Sequence, residues 1–255
     1  MFFAVNAGNT NTSFAVFRGM RMLASWKIKT PDLAENGHRA GLLKKHFSAA
    51  GLKPGEIDRA AVCSVIPELE KTLEGICARI SGAPPAVVRS GADVGMPMKV
   101  KNPHELGADR AVNAFAAREL YGNPVAALDF GTAITVDLVN RRGEYEGGLI
   151  APGFGTSCRA LFENTSMLPF VKVTGPGPVI GRNTAECIRT GVFNVTIGGL
   201  KSALDSMKKC SGLRGLKVVL TGGAAGPAKP AFGRGAVYEP FLTVKGLALM
   251  HGRKA

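Results

Sequence analysis

Val125-Ala126-Ala127-Leu128-Asp129-Phe130-Gly131-Thr132-Ala133-Ile134-Thr135-Val136-Asp137-Leu138 decides the fold. An apolar run ends in an acid, a glycine and a hydroxyl residue, and a second apolar-rich run follows. That is the pattern of a strand, a tight turn and a returning strand. The chain opens the same way, with Phe2-Phe3-Ala4-Val5-Asn6-Ala7-Gly8-Asn9-Thr10 and then Ser13-Phe14-Ala15-Val16-Phe17. Arg18-Gly19 in the first copy and Arg141-Arg142-Gly143 in the second are turn residues leading into a third strand. Recurrence of such a unit predicts duplication of a whole lobe.

Helical material follows each copy. Pro67 opens a helix whose inner face is Leu69, Leu73, Ile76, Cys77 and Ile80. A second helix starts near Asp109, with Val112, Phe115 and Ala116 inward. A long one follows Asn183, where Asn183 and Glu186 have capping-box spacing; its inner face is expected to hold Ile188, Val192, Val195 and Leu204. A late strand, Lys217-Val218-Val219-Leu220, ends in Thr221-Gly222-Gly223-Ala224-Ala225. A strand meander followed by alternating helices and strands, twice over, predicts an α/β fold of mixed sheets flanked by helices. Tyr121-Gly122-Asn123-Pro124 breaks the pattern and places the boundary near 115–124, giving lobes of residues 1–118 and 119–255.

Composition narrows the function classes. Of 255 residues 45% are apolar, enough for a substantial core, and no apolar run approaches the ~18 residues of a membrane span. The start, MFFAVNAGNT, has neither a basic segment nor a small-residue cleavage site, so no secretory signal is expected. Five cysteines without a C-x-x-C pair argue against a disulfide framework or zinc site, and a reduced, cytoplasmic compartment is expected. The net charge is +13, but residues 1–127 and 128–255 each carry 16 Lys and Arg. Dispersed charge attracts small anions rather than forming a nucleic-acid stripe, so neither nucleic acid nor membrane is an expected partner.

The glycine turns have a chemical use. Gly8 and Gly131 let backbone N–H groups approach an anion, Thr10 and Thr132 add hydroxyls, and an acid at a strand end can hold a hydrated metal ion. Should the halves face each other, one nucleotide would be gripped from both sides. Either turn alone reads equally as a hairpin made of turn-favouring residues; the pair, with Thr221-Gly222-Gly223-Ala224 after a late strand, favours phosphate handling.

Seven motifs, in order, carry a family resemblance: Gly8-Asn9-Thr10-Asn11-Thr12; Asn102-Pro103-x-Glu105-x-Gly107-Ala108-Asp109-Arg110; Asp129-Phe130-Gly131-Thr132-Ala133; Gly147-Gly148-x-Ile150-x-Pro152-Gly153; Leu168-Pro169; Gly181-x-Asn183-Thr184; and Thr221-Gly222-Gly223. With them the sequence resembles the type III pantothenate kinases of the acetate and sugar kinase/Hsp70/actin superfamily. The resemblance implies duplicated ribonuclease H-like (actin-like ATPase) lobes. It also implies ATP-dependent phosphorylation of pantothenate to 4'-phosphopantothenate, the first step of coenzyme A biosynthesis.

By that resemblance Asp109 is the catalytic base, and Gly107, Ala108, Asp109 and Arg110 shape the pantothenate site, Arg110 meeting the carboxylate. Asp109 read alone is a helix cap. The resemblance places Asn6, Ala7, Gly8, Asn9, Thr10, Asn11, Thr12, Ser13 and Thr132 at ATP with Mg2+, and makes Asp129 the ligand of a monovalent cation, K+ or NH4+. Thr184 would reach the pantothenate of a neighbouring subunit, which implies a homodimer. Gly191, Gly198 and Gly199 in the same helix fit a close helix–helix contact.

Two positions depart from the family pattern. Its first motif opens with Asp where this chain has Asn6, and a tyrosine lines its pantothenate pocket where this chain has Val100. An amide keeps an acceptor oxygen but drops the charge, and valine removes a ring and a hydroxyl. Two alternatives stay open on these residues: a divergent paralogue that binds nucleotide or a pantothenate-like ligand with little or no turnover, in a regulatory or accessory role, and a kinase for another small hydroxyl compound.

Overall fold

The computed structural model describes residues 1–34 and 39–251. They divide into two units. The first comprises residues 1–96, 100–119 and the chain from Phe241 onward; the second comprises residues 97–99 and 120–240.

The first unit holds β1 (Phe2–Ala7), β2 (Asn11–Arg18), β3 (Arg21–Lys29), β4 (Arg59–Ser64) and β5 (Ala86–Val88), in the order β3-β2-β1-β4-β5. β1 pairs antiparallel with β2 and parallel with β4. Its helices are α1 (Thr30–Ala34), α2 (Arg39–Ala49), α3 (Pro67–Ser81) and α4 (Ala108–Tyr121). The second unit holds β6 (Val125–Phe130), β7 (Ala133–Val139), β8 (Tyr145–Pro152), β9 (Lys217–Thr221) and β10 (Val237–Tyr238), with α5 (Phe154–Glu163), α6 (Thr184–Cys210) and α7 (Ala225–Ala228). Its order, β8-β7-β6-β9-β10, repeats the first sheet strand for strand, with β6 antiparallel to β7 and parallel to β9. The duplication expected from the two turns is therefore present in the topology.

β1 and β6 are central and share one burial pattern: four buried residues, one partly exposed, one buried. Central strands covered on both faces read as continuous apolar runs, which is why these segments stood out. The partly exposed position is Asn6 in β1 and Asp129 in β6. The departing residue and the expected cation ligand are therefore the same position of the repeat.

In the first unit Phe3, Phe14, Trp26 and Phe47 form an aromatic cluster, with Phe3 and Phe14 stacked at 5.9 Å and Trp26 meeting Phe47 edge-on at 5.2 Å. Each fully buried ring of this kind contributes on the order of 1.5–3 kcal/mol. The chain's last described helix, α8 (Leu242–His251), packs in this unit rather than in the second lobe to which residues 119–255 were expected to belong. It rests on α4: a Cβ at Gly246 would lie 2.6 Å from Val112 Cγ1, and the Thr243 hydroxyl donates to Asn113 Oδ1 at 2.7 Å in a buried setting. That packing fixes the helix carrying Asp109.

Three helix details differ from expectation. Phe115 is only partly buried and has the Arg118 guanidinium 5.2 Å above its ring, while Ala111, Ala114 and Ala117 widen α4's inner face. Val195 is 76% exposed, and α6 instead buries Phe193, Ile197, Leu200 and Leu204 with Ile188. Asn183 does cap α6, accepting from the Glu186 amide at 2.9 Å, but the Glu186 carboxylate takes the Arg182 amide instead of closing the box. Among the described residues no helix is long and apolar enough to cross a membrane.

Candidate active site

In the first unit the site begins where β1 ends. Asn6 pairs with Ser13 on one side and Cys63 on the other. Its Oδ1 is buried and has no hydrogen-bond partner. Leaving a buried acceptor unpaired costs ~1–3 kcal/mol, so this oxygen suits a donor or cation that a ligand brings.

The turn after it is held more tightly than its sequence suggested. The Gly8 amide donates to the Asn11 carbonyl at 3.1 Å, so that particular N–H closes the turn. The exposed tip is Asn9, Thr10 and Asn11. Thr12 is fully buried with its hydroxyl 3.1 Å from that of Thr30, and the Thr30 hydroxyl donates to the Gly8 carbonyl at 2.6 Å. The Thr30 amide reaches the Thr10 carbonyl at 3.0 Å. Thr12 is thus a brace behind the turn. Thr30 is a supporting residue that sequence reading missed; a threonine before Pro31 at a helix start was its only signal.

The acid lies in the same unit. Gly107 bridges to Ser90, and its carbonyl accepts from the Ala111 amide at 3.1 Å, so α4 begins on a fixed strand contact. Asp109 lies in α4's first turn, and its Oδ1 accepts from the Arg110 amide at 2.8 Å. The helix opens at Ala108, so Asp109 is inside it rather than its cap. Burial pushes the carboxyl above the ordinary carboxylate range, partly offset by the Arg110 amide and guanidinium. A helix N-terminus favours carboxylate, yet burial wins here, the balance expected of a base whose proton affinity is raised. A Cβ on Gly107 would stand 3.0 Å from Asp109 Oδ1, so glycine leaves that oxygen accessible. The Cys63 thiol is pushed up by burial first and the Asp109 carboxylate second. Cys63 is the residue that pairs with Asn6 on β4, and its thiol feels the Asp109 charge, so Asn6 and Asp109 belong to the same unit. Ala108 is buried, and Arg110 and Val100 are partly exposed.

The second unit repeats the turn. The Gly131 amide donates to the Ala133 carbonyl at 3.0 Å, so this N–H too is spent on closure. The Thr132 carbonyl accepts from the Gly153 amide at 3.0 Å and the Thr156 hydroxyl at 2.6 Å. Gly153 must be glycine, because a Cβ there would run into the Gly131 and Thr132 carbonyls. Gly222, at φ +91°, passes so close to Asp129 that a Cβ would strike its Oδ1 and stand 2.6 Å from the Phe130 amide nitrogen. Thr156 and Gly222 were not among the expected site residues, although Gly153-Phe154-Gly155-Thr156 and Thr221-Gly222-Gly223 carried the signal. Thr184, the first residue of α6, is exposed. Behind it a Cβ on Gly181 would be 2.5 Å from the Cys187 amide nitrogen, which accounts for the Gly181-x-Asn183-Thr184 spacing.

The donor set is oxygen-rich and sparse. Among the described residues no three His, Cys, Asp or Glu gather as metal ligands. Asp129 with turn carbonyls offers the hard oxygens that a monovalent cation takes. A divalent ion fits only as one carried largely on phosphate oxygens, with the Asn6 amide oxygen the acceptor nearest to hand in the first turn.

The family model for type III pantothenate kinase matches residues 2–205. A type III pantothenate kinase from Moorella thermoacetica is 36% identical over 99% of both chains. One from Myxococcus xanthus is 37% identical over 99% of this chain and 98% of its own. Among solved structures, the activator of the 2-hydroxyisocaproyl-CoA dehydratase from Clostridium difficile, with bound ADPNP, superposes with a TM-score of 0.54 at 12% identity, covering 97% of this chain and 92% of that one. That likeness extends to the fold alone.

Proposed function

The chain belongs to the type III pantothenate kinase family, and we propose that it moves the γ-phosphoryl of ATP to the primary hydroxyl of pantothenate, giving 4'-phosphopantothenate and ADP. The observation that carries this reading is that one unit holds both a carboxylate of raised proton affinity, Asp109, and an unpartnered buried oxygen, Asn6 Oδ1, at the strand end before the Gly8–Asn11 turn. In the step, the Asp109 carboxylate accepts the hydroxyl proton, the alcohol oxygen bonds to the γ-phosphorus, and the bond to the β-bridging oxygen breaks with its electron pair leaving on ADP. Arg110 lies one residue along and answers the pantothenate carboxylate; Gly107, Ala108 and Val100 shape the space around it. Asn9, Thr10, Asn11 and Ser13 hold phosphates, while Thr12 keeps its turn in shape; in the second unit Thr132 is the nucleotide contact. Magnesium, when bound with ATP, neutralises charge on the phosphates. Asp129 supplies a carboxylate to K+ or NH4+.

We place the enzyme in the cytoplasm as a homodimer. Support for the dimer is a set of exposed apolar side chains on the second unit: Met167 and Val179 at 91%, Ile180 and Val195 at 76%. Thr184 begins the helix that carries Val195, and reaches the pantothenate bound by the partner in this reading. Light scattering at assay concentration is expected to give twice the chain mass; a monomer that turns over at the full rate excludes a shared site.

Asn6 supplies the test of the reading. Restoring the acid with Asn6→Asp is expected to raise kcat/KM for ATP roughly tenfold or more, ~1.4 kcal/mol of barrier, and to lower the magnesium concentration for half-maximal rate. An active wild type with neither quantity changed by Asn6→Asp removes position 6 from the phosphate site. ATP binding by both proteins with turnover by neither favours the second reading, a nucleotide-binding paralogue, for which the neutral residue at position 6 is the specific observation.

A further inference from the structure

A cavity of about 620 Å3 lies in the first unit, where α2, α3 and the segment around Pro54 meet. Its size is within the ~300–1,000 Å3 of small-molecule pockets. None of its lining residues belongs to the phosphate turn or to the segment around Asp109. The floor is hydrocarbon: Leu43, Phe47 and Ile76 are buried in the core, and Leu52 and Ile80 are partly buried against it. The Phe47 ring is fixed from behind by Phe3 at 5.5 Å and Trp26 at 5.2 Å, so this wall cannot collapse inward.

The mouth is different in kind. Lys44, Lys53 and Arg79 line it and are exposed. Among the described residues, none of the three forms an ion pair. Arg79 Nε donates to the Gly75 carbonyl of its own helix at 3.2 Å. The nearby acid, Glu56, accepts from the Lys53 backbone amide at 3.1 Å and is not a lining residue. Three cations around an apolar recess with no carboxylate in its described lining select a ligand by both halves. The buried part finds almost no hydrogen-bonding partner and so has to be hydrocarbon, because a polar group would be desolvated without compensation. The outer part has to be an anion.

We propose that this cavity binds an amphipathic anion: an aliphatic chain seated on Leu43, Phe47, Ile76 and Ile80, with a carboxylate or phosphate head held by Lys44, Lys53 and Arg79. The site is separate from phosphoryl transfer, and its occupancy can be read without any kinase assay. Trp26 is the chain's one tryptophan and touches the Phe47 wall, so its emission reports on the cavity.

The test titrates the full chain with decanoate and with decyl phosphate, below their micellar concentrations, following Trp26 fluorescence and calorimetry. Saturable one-to-one binding of at least one is expected, the tighter of the two identifying the head group. Decylammonium should bind about tenfold more weakly or worse, because only the sign of the head has changed. The double variant Lys44→Glu/Lys53→Glu, at exposed positions, should lose about tenfold or more in affinity for the anion. Ser48→Phe, at an exposed lining position, should weaken it by filling the space. The proposal is overturned if neither anion binds, if decylammonium binds as tightly, or if the folded charge-reversal variant keeps wild-type affinity. The comparison of head groups uses the wild-type protein, so the proposal stays testable even if a variant misfolds.

Discussion

Asp109→Asn is expected to lower kcat for pantothenate phosphorylation by about 10²–10⁴-fold, the contribution of a positioned general base, without loss of stability. Asparagine retains an Oδ1 that can accept from the Arg110 amide, as the aspartate does. The stability half follows from the direction of the titration. The folded carboxyl binds its proton more tightly than the unfolded one, chiefly because burial penalises the charge. Its contribution to stability is therefore fully present below the unfolded value and is lost as pH rises through the folded one. Wherever its carboxyl is ionised, the wild type carries the cost of a buried charge that the amide lacks. Asp109→Asn should melt no lower than wild type at neutral pH, and any advantage should shrink on acidification. Turnover near the wild-type level removes Asp109 as the base, and a neutral-pH variant that unfolds early makes its role structural.

Gly222→Ala is expected to cost about 2–4 kcal/mol of stability, because two penalties coincide there. The backbone is in the left-handed region at φ +91°, and the new methyl would meet Asp129 Oδ1 and lie 2.6 Å from the Phe130 nitrogen and 2.7 Å from its carbonyl carbon, atoms of the central strand β6. The Asp129 carboxylate can swing aside, but the Phe130 backbone cannot yield without moving that strand end. Gly223→Ala is the internal control: a Cβ there has no heavy atom within 4 Å, so its cost should stay below about 1 kcal/mol. Urea unfolding of the two variants beside wild type makes the comparison. A Gly222→Ala variant as stable as Gly223→Ala shows that the close approach to Asp129 is not what keeps glycine at 222. Where Gly222→Ala still folds, displacement of Asp129 should also raise the potassium needed for half-maximal rate.

The parts legible in the sequence are those whose cause is local. An apolar run, a polar strand end and a glycine lie within ten residues of one another, so both turns and their duplication could be read directly. The equivalence of Asn6 and Asp129 was contained in the same alignment of the two copies, although only the register of β1 and β6 makes it explicit. The parts not legible depend on what meets across long separations. The return of α8 to α4 rests on Gly246 against Val112 and Thr243 against Asn113, contacts with no local periodicity. Thr30 and Thr156 brace the two turns from 22 and 24 residues away. Gly8 and Gly131 were expected to let backbone N–H groups approach an anion, because no Cβ intrudes there. Which acceptor a turn amide finds is decided by its closing partner, here Asn11 and Ala133. Val195 fits an apolar helical stripe by spacing and is exposed all the same, since spacing alone does not say which apolar positions meet the core.

The central claim is that this chain phosphorylates pantothenate, and its most direct measurement follows the product. Purified protein is incubated with ATP, magnesium, potassium and pantothenate, and 4'-phosphopantothenate is quantified by mass spectrometry beside ADP. The two are expected in equal amounts, with ADP formation dependent on pantothenate. Folded protein that binds ATP yet yields no phosphorylated pantothenate at any magnesium or potassium concentration contradicts it.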